Sequence, residues 1–126
     1  MFEIKVEAEF EAAHRIVDYP GKCDRLHGHN WKVEVKITGK TLDKLGMLID
    51  FKEAKAALKE VTEAMDHRFL NELEPFREKN PTAENIAQYI YQALKEHRLP
   101  RGAAVHLAAV CVWESPHACV TYSEDA

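Results

Sequence analysis

The chain of 126 residues is short of the residues that mark special classes, with three cysteines, five glycines and five prolines. Cys23, Cys111 and Cys119 are an odd set that cannot fully pair within one chain, which excludes a disulfide scaffold and fits a reducing compartment. Glycine and proline are too few and too scattered for a collagen-like repeat or a flexible linker, so a single domain over residues 1–126 is expected. No apolar run approaches the roughly 18 residues a membrane span needs. The opening Met1-Phe2-Glu3-Ile4-Lys5 alternates where a signal peptide carries an apolar block. A cytoplasmic protein with no membrane partner is the expectation. With 17 basic and 21 acidic residues the net charge is −4, and no block of five or six like charges occurs. Nucleic acid, which needs a basic surface, is therefore not an expected partner.

What is present is an ordinary share of apolar residues, 46%, and an unusual number of histidines, seven. From Phe2 to Ala12 the even positions are apolar and the odd ones charged, the period of a half-buried strand. Continued by two residues, that inward face carries His14. A second alternation places Trp31, Val33, Val35 and Ile37 on one face, and its backward extension adds His29 and His27.

Asp50, with Glu53 three residues on, reads as a capping box. Phe51, Ala54, Leu58, Val61 and Met65 then form one stripe of a helix ending near Asp66-His67. Thr82 is a suitable N-cap for a second helix with Ile86, Ile90, Ala93, Leu94 and His97 on its inner side, stopped by Leu99-Pro100-Arg101-Gly102. The apolar run from Ala103 to Trp113, the turn Glu114-Ser115-Pro116 and the run Ala118–Tyr122 read as two more strands. The order ββααββ predicts an α+β fold, a four-stranded antiparallel sheet with two helices on one face.

The chemistry concentrates in His27-Gly28-His29, because positions i and i+2 of a strand project to the same side. With His14 on a neighbouring strand, three imidazoles would converge. Three histidines with a fourth position left open are a common catalytic zinc set. Cys23, four residues before His27, is open to two readings: a fourth ligand closing a structural site, or a thiolate base activated by nearby positive charge. Asp66-His67 offers a carboxylate and an imidazole that could relay a proton, or a histidine placed to suit the negative end of a helix. Glu114 could bind paired N–H donors of a ligand such as a pterin edge, or be a solvated strand end.

Six segments in order, Glu11-Ala12-Ala13-His14, Cys23-Asp24-Arg25-Leu26-His27-Gly28-His29, Gly46–Phe51, Met65–Asn71, Pro81–Asn85 and Trp113-Glu114-Ser115, resemble the 6-pyruvoyl-tetrahydropterin synthase superfamily. Within it, the short length and the Cys-x-x-x-His-Gly-His form are most similar to the bacterial carboxy-tetrahydropterin branch of the queuosine pathway. The resemblance implies a T-fold whose subunits assemble as trimers or hexamers. It implies that His14, His27 and His29 hold Zn²⁺, that Cys23 is the base, and that Asp66 and His67 serve as its relay. It also implies that Glu114 anchors a pterin, with Thr82 and Glu84 as further candidates for the same pocket. Departures are small: Met65 and Ser115 stand where Leu and Thr are commoner, and His117 has no counterpart.

The reaction so implied converts 7,8-dihydroneopterin triphosphate to 6-carboxy-5,6,7,8-tetrahydropterin, acetaldehyde and triphosphate. The alternatives are elimination of triphosphate with the side chain retained, giving the pyruvoyl product, and a non-catalytic metal-binding protein of the same fold.

Overall fold

Two strands of 13 residues form the spine of the protein, β1 over Phe2–His14 and β2 over His27–Gly39. They pair antiparallel without a break, from Phe2 opposite Gly39 to His14 opposite His27. The ladder suits the sequence because both strands alternate in phase. Val6, Phe10 and Ala12 of β1 are buried with Trp31, Val33, Val35 and Ile37 of β2, while the charged positions face the other way. The structure is a computed structural model that describes residues 1–21, 24–99 and 104–124, with the main chain alone at 97 and 98.

Helix α1 spans Phe51–Glu63, and Asp50 caps it by accepting the Lys52 N–H at 2.8 Å. Ala54, Leu58, Val61 and, beyond the helix, Met65 are buried as the stripe requires, but Phe51 in the first turn is exposed. Helix α2 spans Ala83–Ala93, and the hydroxyl of its N-cap Thr82 accepts the Asn85 N–H at 3.1 Å. Ile86, Ala87, Ile90, Tyr91 and Leu94 bury its inner side. The expected inward placement of His97 and the stop at Pro100–Gly102 lie outside the described residues.

Strand β4, Val105–Ser115, pairs antiparallel with β2, and β5, Ala118–Tyr122, pairs antiparallel with β4. Both helices join the single core on one face of the sheet, α1 against β1 and α2 against β4 and β5. The carboxylate of Glu124 fastens the chain after β5 to α2, accepting from Tyr122 Oη at 2.8 Å, from Lys95 Nζ at 2.8 Å and from the Gln92 amide.

Two details depart from the sequence expectation. The sheet has a fifth strand, β3, of only Arg68 and Phe69, which runs parallel to β1 at Ala12 and Ala13 and gives the order β3-β1-β2-β4-β5. Two residues are too few to show any period, and they pair because β1 has a free edge. Helix α1 also stops at Glu63, before Asp66-His67, because the chain turns with Asp66 N–H bonded to Thr62 O at 2.9 Å and His67 at a φ of 57°.

Leu58 is fully buried between α1 and the sheet. Leu58→Ala should lower unfolding stability by about 2–5 kcal/mol, against about 1 kcal/mol for removing the cap in Asp50→Ala. Denaturant unfolding of the two variants beside the parent measures both.

Candidate metal centre and active site

The register of β1 and β2 sets His14 opposite His27 and Ala12 opposite His29. Alternation then turns all three imidazoles to the helix-covered face at one end of the ladder. Their ring centroids lie 4.5 to 5.1 Å apart, and one ligand nitrogen from each falls within 4.8 Å of the others. Trp31, fully buried, forms the floor, in edge contact with His14 at 5.1 Å and His29 at 5.2 Å. Its indole N–H donates to Ala12 O at 3.2 Å, which fixes the floor across the two strands.

Two of the rings are oriented by main-chain carbonyls. His14 Nδ1 lies 2.7 Å from Pro81 O, and His27 Nδ1 lies 2.7 Å from Arg25 O. A carbonyl only accepts, so each Nδ1 carries the proton and each Nε2 of the neutral ring keeps a lone pair. Second contacts of this kind orient metal-binding histidines. Among the described residues the Nε2 atoms of His14 and His29 are buried with no hydrogen-bond partner, which leaves both lone pairs open to a ligand.

The site holds its donors in the form a metal requires. Burial pushes the pKa of His14 below that of a free imidazole, and the neighbouring His27 and His29 push the same way against the Pro81 bond and Glu114. Burial also lowers His29, opposed by Glu114, whose carboxylate lies 3.8 Å from His29 Nε2. The three residues fit a metal ion.

The loop that would carry Cys23 is gripped on both sides, although Cys23 itself lies outside the described residues. Arg15 donates to Asp24 Oδ1 at 2.9 Å and to Asp24 O at 3.0 Å. The side-chain amide of Asn71 closes on both backbone groups of Arg15 at 3.0 Å, and that of Asn80 on both of Val17 at 2.8 and 3.1 Å. These asparagine clamps and the Pro81 carbonyl are functional supports that hydrophobic periodicity has no means of showing.

Asp66 and His67 come together at the outer edge of β1. His67 Nδ1 is 3.0 Å from Asp66 Oδ2, and Asp66 Oδ1 accepts the Glu11 N–H at 2.9 Å. That backbone bond is the chief reason the Asp66 carboxyl is held below its usual range, with His67 adding to it. His67 N–H returns a bond to Glu11 O at 2.6 Å, which holds the residue in a left-handed conformation that costs about 1–2 kcal/mol for a side chain with a Cβ. The ring reaches the carboxylate of Glu11, on the face of β1 opposite to His14. Within one chain, then, the pair and the three ligand histidines face different ways, and a cleft of about 540 Å³ lined by Glu11, Gly28, His29, His67 and Arg68 runs along the edge between them. Glu114 stands beside His29. Thr82 has its hydroxyl engaged as the cap of α2, and Glu84 lies exposed in the first turn of that helix.

The family model for 6-pyruvoyl tetrahydropterin synthase matches residues 3–125 of this sequence. The chain belongs to that family. A member from Haemophilus influenzae named 6-carboxy-5,6,7,8-tetrahydropterin synthase is 34% identical, over 98% of this chain and 100% of that one. A protein from Archaeoglobus fulgidus named as a putative enzyme of the same kind is 42% identical over 76% of this chain and 78% of its own. Among solved structures, the 6-pyruvoyl tetrahydropterin synthase of Caenorhabditis elegans superposes with a TM-score of 0.87 at 29% identity, covering 98% of this chain and 96% of that one. The family's T-fold is therefore the fold of this chain, with the two-residue β3 as a small addition to the expected four strands.

The lowered histidines set the sign of a pH effect. As pH falls through about 6.5 the imidazoles of the unfolded chain gain protons, while folded His14 and His29 stay neutral. The unfolded state then binds more protons, so metal-free protein loses stability from about pH 6.5 downward until the lowered folded values are reached. Melting curves of chelator-treated protein at pH 7.5 and 5.5 should show the loss. His29→Ala should abolish stoichiometric metal uptake, read by elemental analysis after metal loading.

Proposed function

We propose that this chain converts 7,8-dihydroneopterin triphosphate to 6-carboxy-5,6,7,8-tetrahydropterin, releasing acetaldehyde and triphosphate. It would act as a zinc-dependent carbon–carbon lyase in queuosine biosynthesis. The observation that carries the reading is the convergence of His14, His27 and His29, with two rings fixed by main-chain carbonyls and two Nε2 atoms left without a partner. It stands in a chain aligned end to end with a relative that bears the 6-carboxy name.

Zinc held there would act as a Lewis acid toward the side-chain hydroxyls of the substrate, easing loss of a proton. Iron or nickel would also accept three imidazoles, and zinc is preferred because the donor set matches its open catalytic sites. Cys23, as thiolate, takes the proton. His67, oriented by Asp66, returns or relays it. Glu114 binds the N–H donors of the pterin edge, and its position beside His29 supports that role. Thr82 and Glu84 complete the pocket, with the Thr82 hydroxyl shared with its capping bond.

The working unit is a homo-oligomer, a trimer or hexamer in the cytoplasm. What supports assembly is the edge position of Asp66 and His67, facing away from the histidines of their own chain. A neighbouring subunit can bring the pair to a second cysteine and metal.

Incubating the zinc-loaded protein with dihydroneopterin triphosphate should give acetaldehyde and the 6-carboxy product. Pyruvoyl-tetrahydropterin without acetaldehyde would instead establish the activity in the name of the Caenorhabditis elegans neighbour. Cys23→Ala should keep its metal and lose turnover, whereas a closed four-ligand site would lose metal and stability together. Co-assembled Cys23→Ala and His67→Ala subunits should recover part of the activity that each variant lacks alone.

A further inference from the structure

Glu11 meets the Asp66-His67 pair at three points. Its N–H donates to Asp66 Oδ1 at 2.9 Å, its carbonyl accepts from His67 N–H at 2.6 Å, and its carboxylate Oε2 lies 3.2 Å from His67 Nε2. The first two contacts are main-chain and independent of the side chain. They hold the His67 backbone where its ring can span two carboxylates, Asp66 at Nδ1 and Glu11 at Nε2.

We propose that Glu11 is a positioning residue that keeps a proton on Nε2 of His67, so that this ring enters the reaction as a proton donor. The inference rests on the relay role proposed above for His67. A carboxylate has no proton to give, so a ring nitrogen facing one at this distance is favoured as N–H over a lone pair. With Asp66 alone, a neutral ring would hold its single proton on Nδ1 and present Nε2 as a lone pair, which is a base. Glu11 gives Nε2 an acceptor as well, so a proton there is stabilised whether or not Nδ1 keeps its own. A donor at Nε2 complements Cys23: one group removes a proton from the substrate and the other supplies one.

The other charged or titratable groups beside this ring do not replace Glu11. Asp66 faces the opposite nitrogen, the Arg68 side chain carries no acceptor, and His29 lines the same cleft without a hydrogen bond to His67 among the described residues. The Glu11–His67 contact is solvent-exposed on both sides, so it adds little to stability. Its effect belongs in the proton position and in the rate.

The test uses zinc-loaded protein labelled with ¹⁵N-histidine, with His67 assigned by the signal that disappears in His67→Gln. In the parent, long-range ¹H–¹⁵N spectra at neutral pH should show hydrogen on Nε2 of His67. In Glu11→Ala that nitrogen should move toward the shift of a lone-pair nitrogen, and Glu11→Gln, which keeps an acceptor oxygen, should fall between. At saturating dihydroneopterin triphosphate, kcat of Glu11→Ala should drop about tenfold or more with KM within about twofold, since the change lies in proton delivery. The unfolding midpoint should not move. An unchanged Nε2 proton in Glu11→Ala, or an unchanged kcat, overturns the proposal. Parent protein that turns over neither product overturns the proposed function instead, and the spectra still decide whether Glu11 sets the proton on His67.

Discussion

Everything in this protein hangs on the uninterrupted pairing of β1 with β2. Thirteen residues of each strand meet in one register, and the last pairs at one end are His14 with His27 and Ala12 with His29. A slip of one residue would turn His27 and His29 to the opposite face, separating them from His14, and would expose Trp31, Val33, Val35 and Ile37 at the same time. The apolar core thus enforces the geometry of the metal site. Ala12, opposite His29, also ties the floor of the cluster to β1 by accepting the Trp31 indole N–H with its carbonyl.

Such a site is costly to the folded chain. Two buried imidazole nitrogens without hydrogen-bond partners among the described residues forgo about 1–3 kcal/mol each, and His67 adds left-handed strain at the edge of the sheet. These costs sit at the functional end, while the far end of the ladder and both helices follow local preference closely. Cap residues, helix stripes and strand alternation all agree there, which is the consistency that lets a small domain carry strain at one place. Metal bound at the free Nε2 atoms would convert the first of these costs into folding energy.

The alternations through Phe2–His14 and His27–Ile37 were legible because each strand buries one face only, so a period of two survives in the sequence. Asp50 and Thr82 were legible as caps because a helix start needs an oxygen at one defined position. The three ligand histidines followed from those periods. By contrast, β3 is too short for a pattern, and the end of α1 depends on His67 accepting a left-handed turn that its bond to Glu11 helps to hold. Phe51, expected in the stripe, is exposed, because periodicity reports direction around a helix and says nothing about what packs against each turn.

The residues alone determined fold class, the faces of both long strands, the two helix starts and which histidines share one face, since each rests on local spacing or on side-chain type. Only the tertiary structure decided that the Pro81 carbonyl orients His14, that Asn71 and Asn80 clamp Arg15 and Val17 ahead of Cys23, and that Glu11 shares His67 with Asp66. These partners lie as far apart in sequence as 67 residues, His14 to Pro81. Contacts of that span arise when separate elements pack, so no local pattern of residues can encode them.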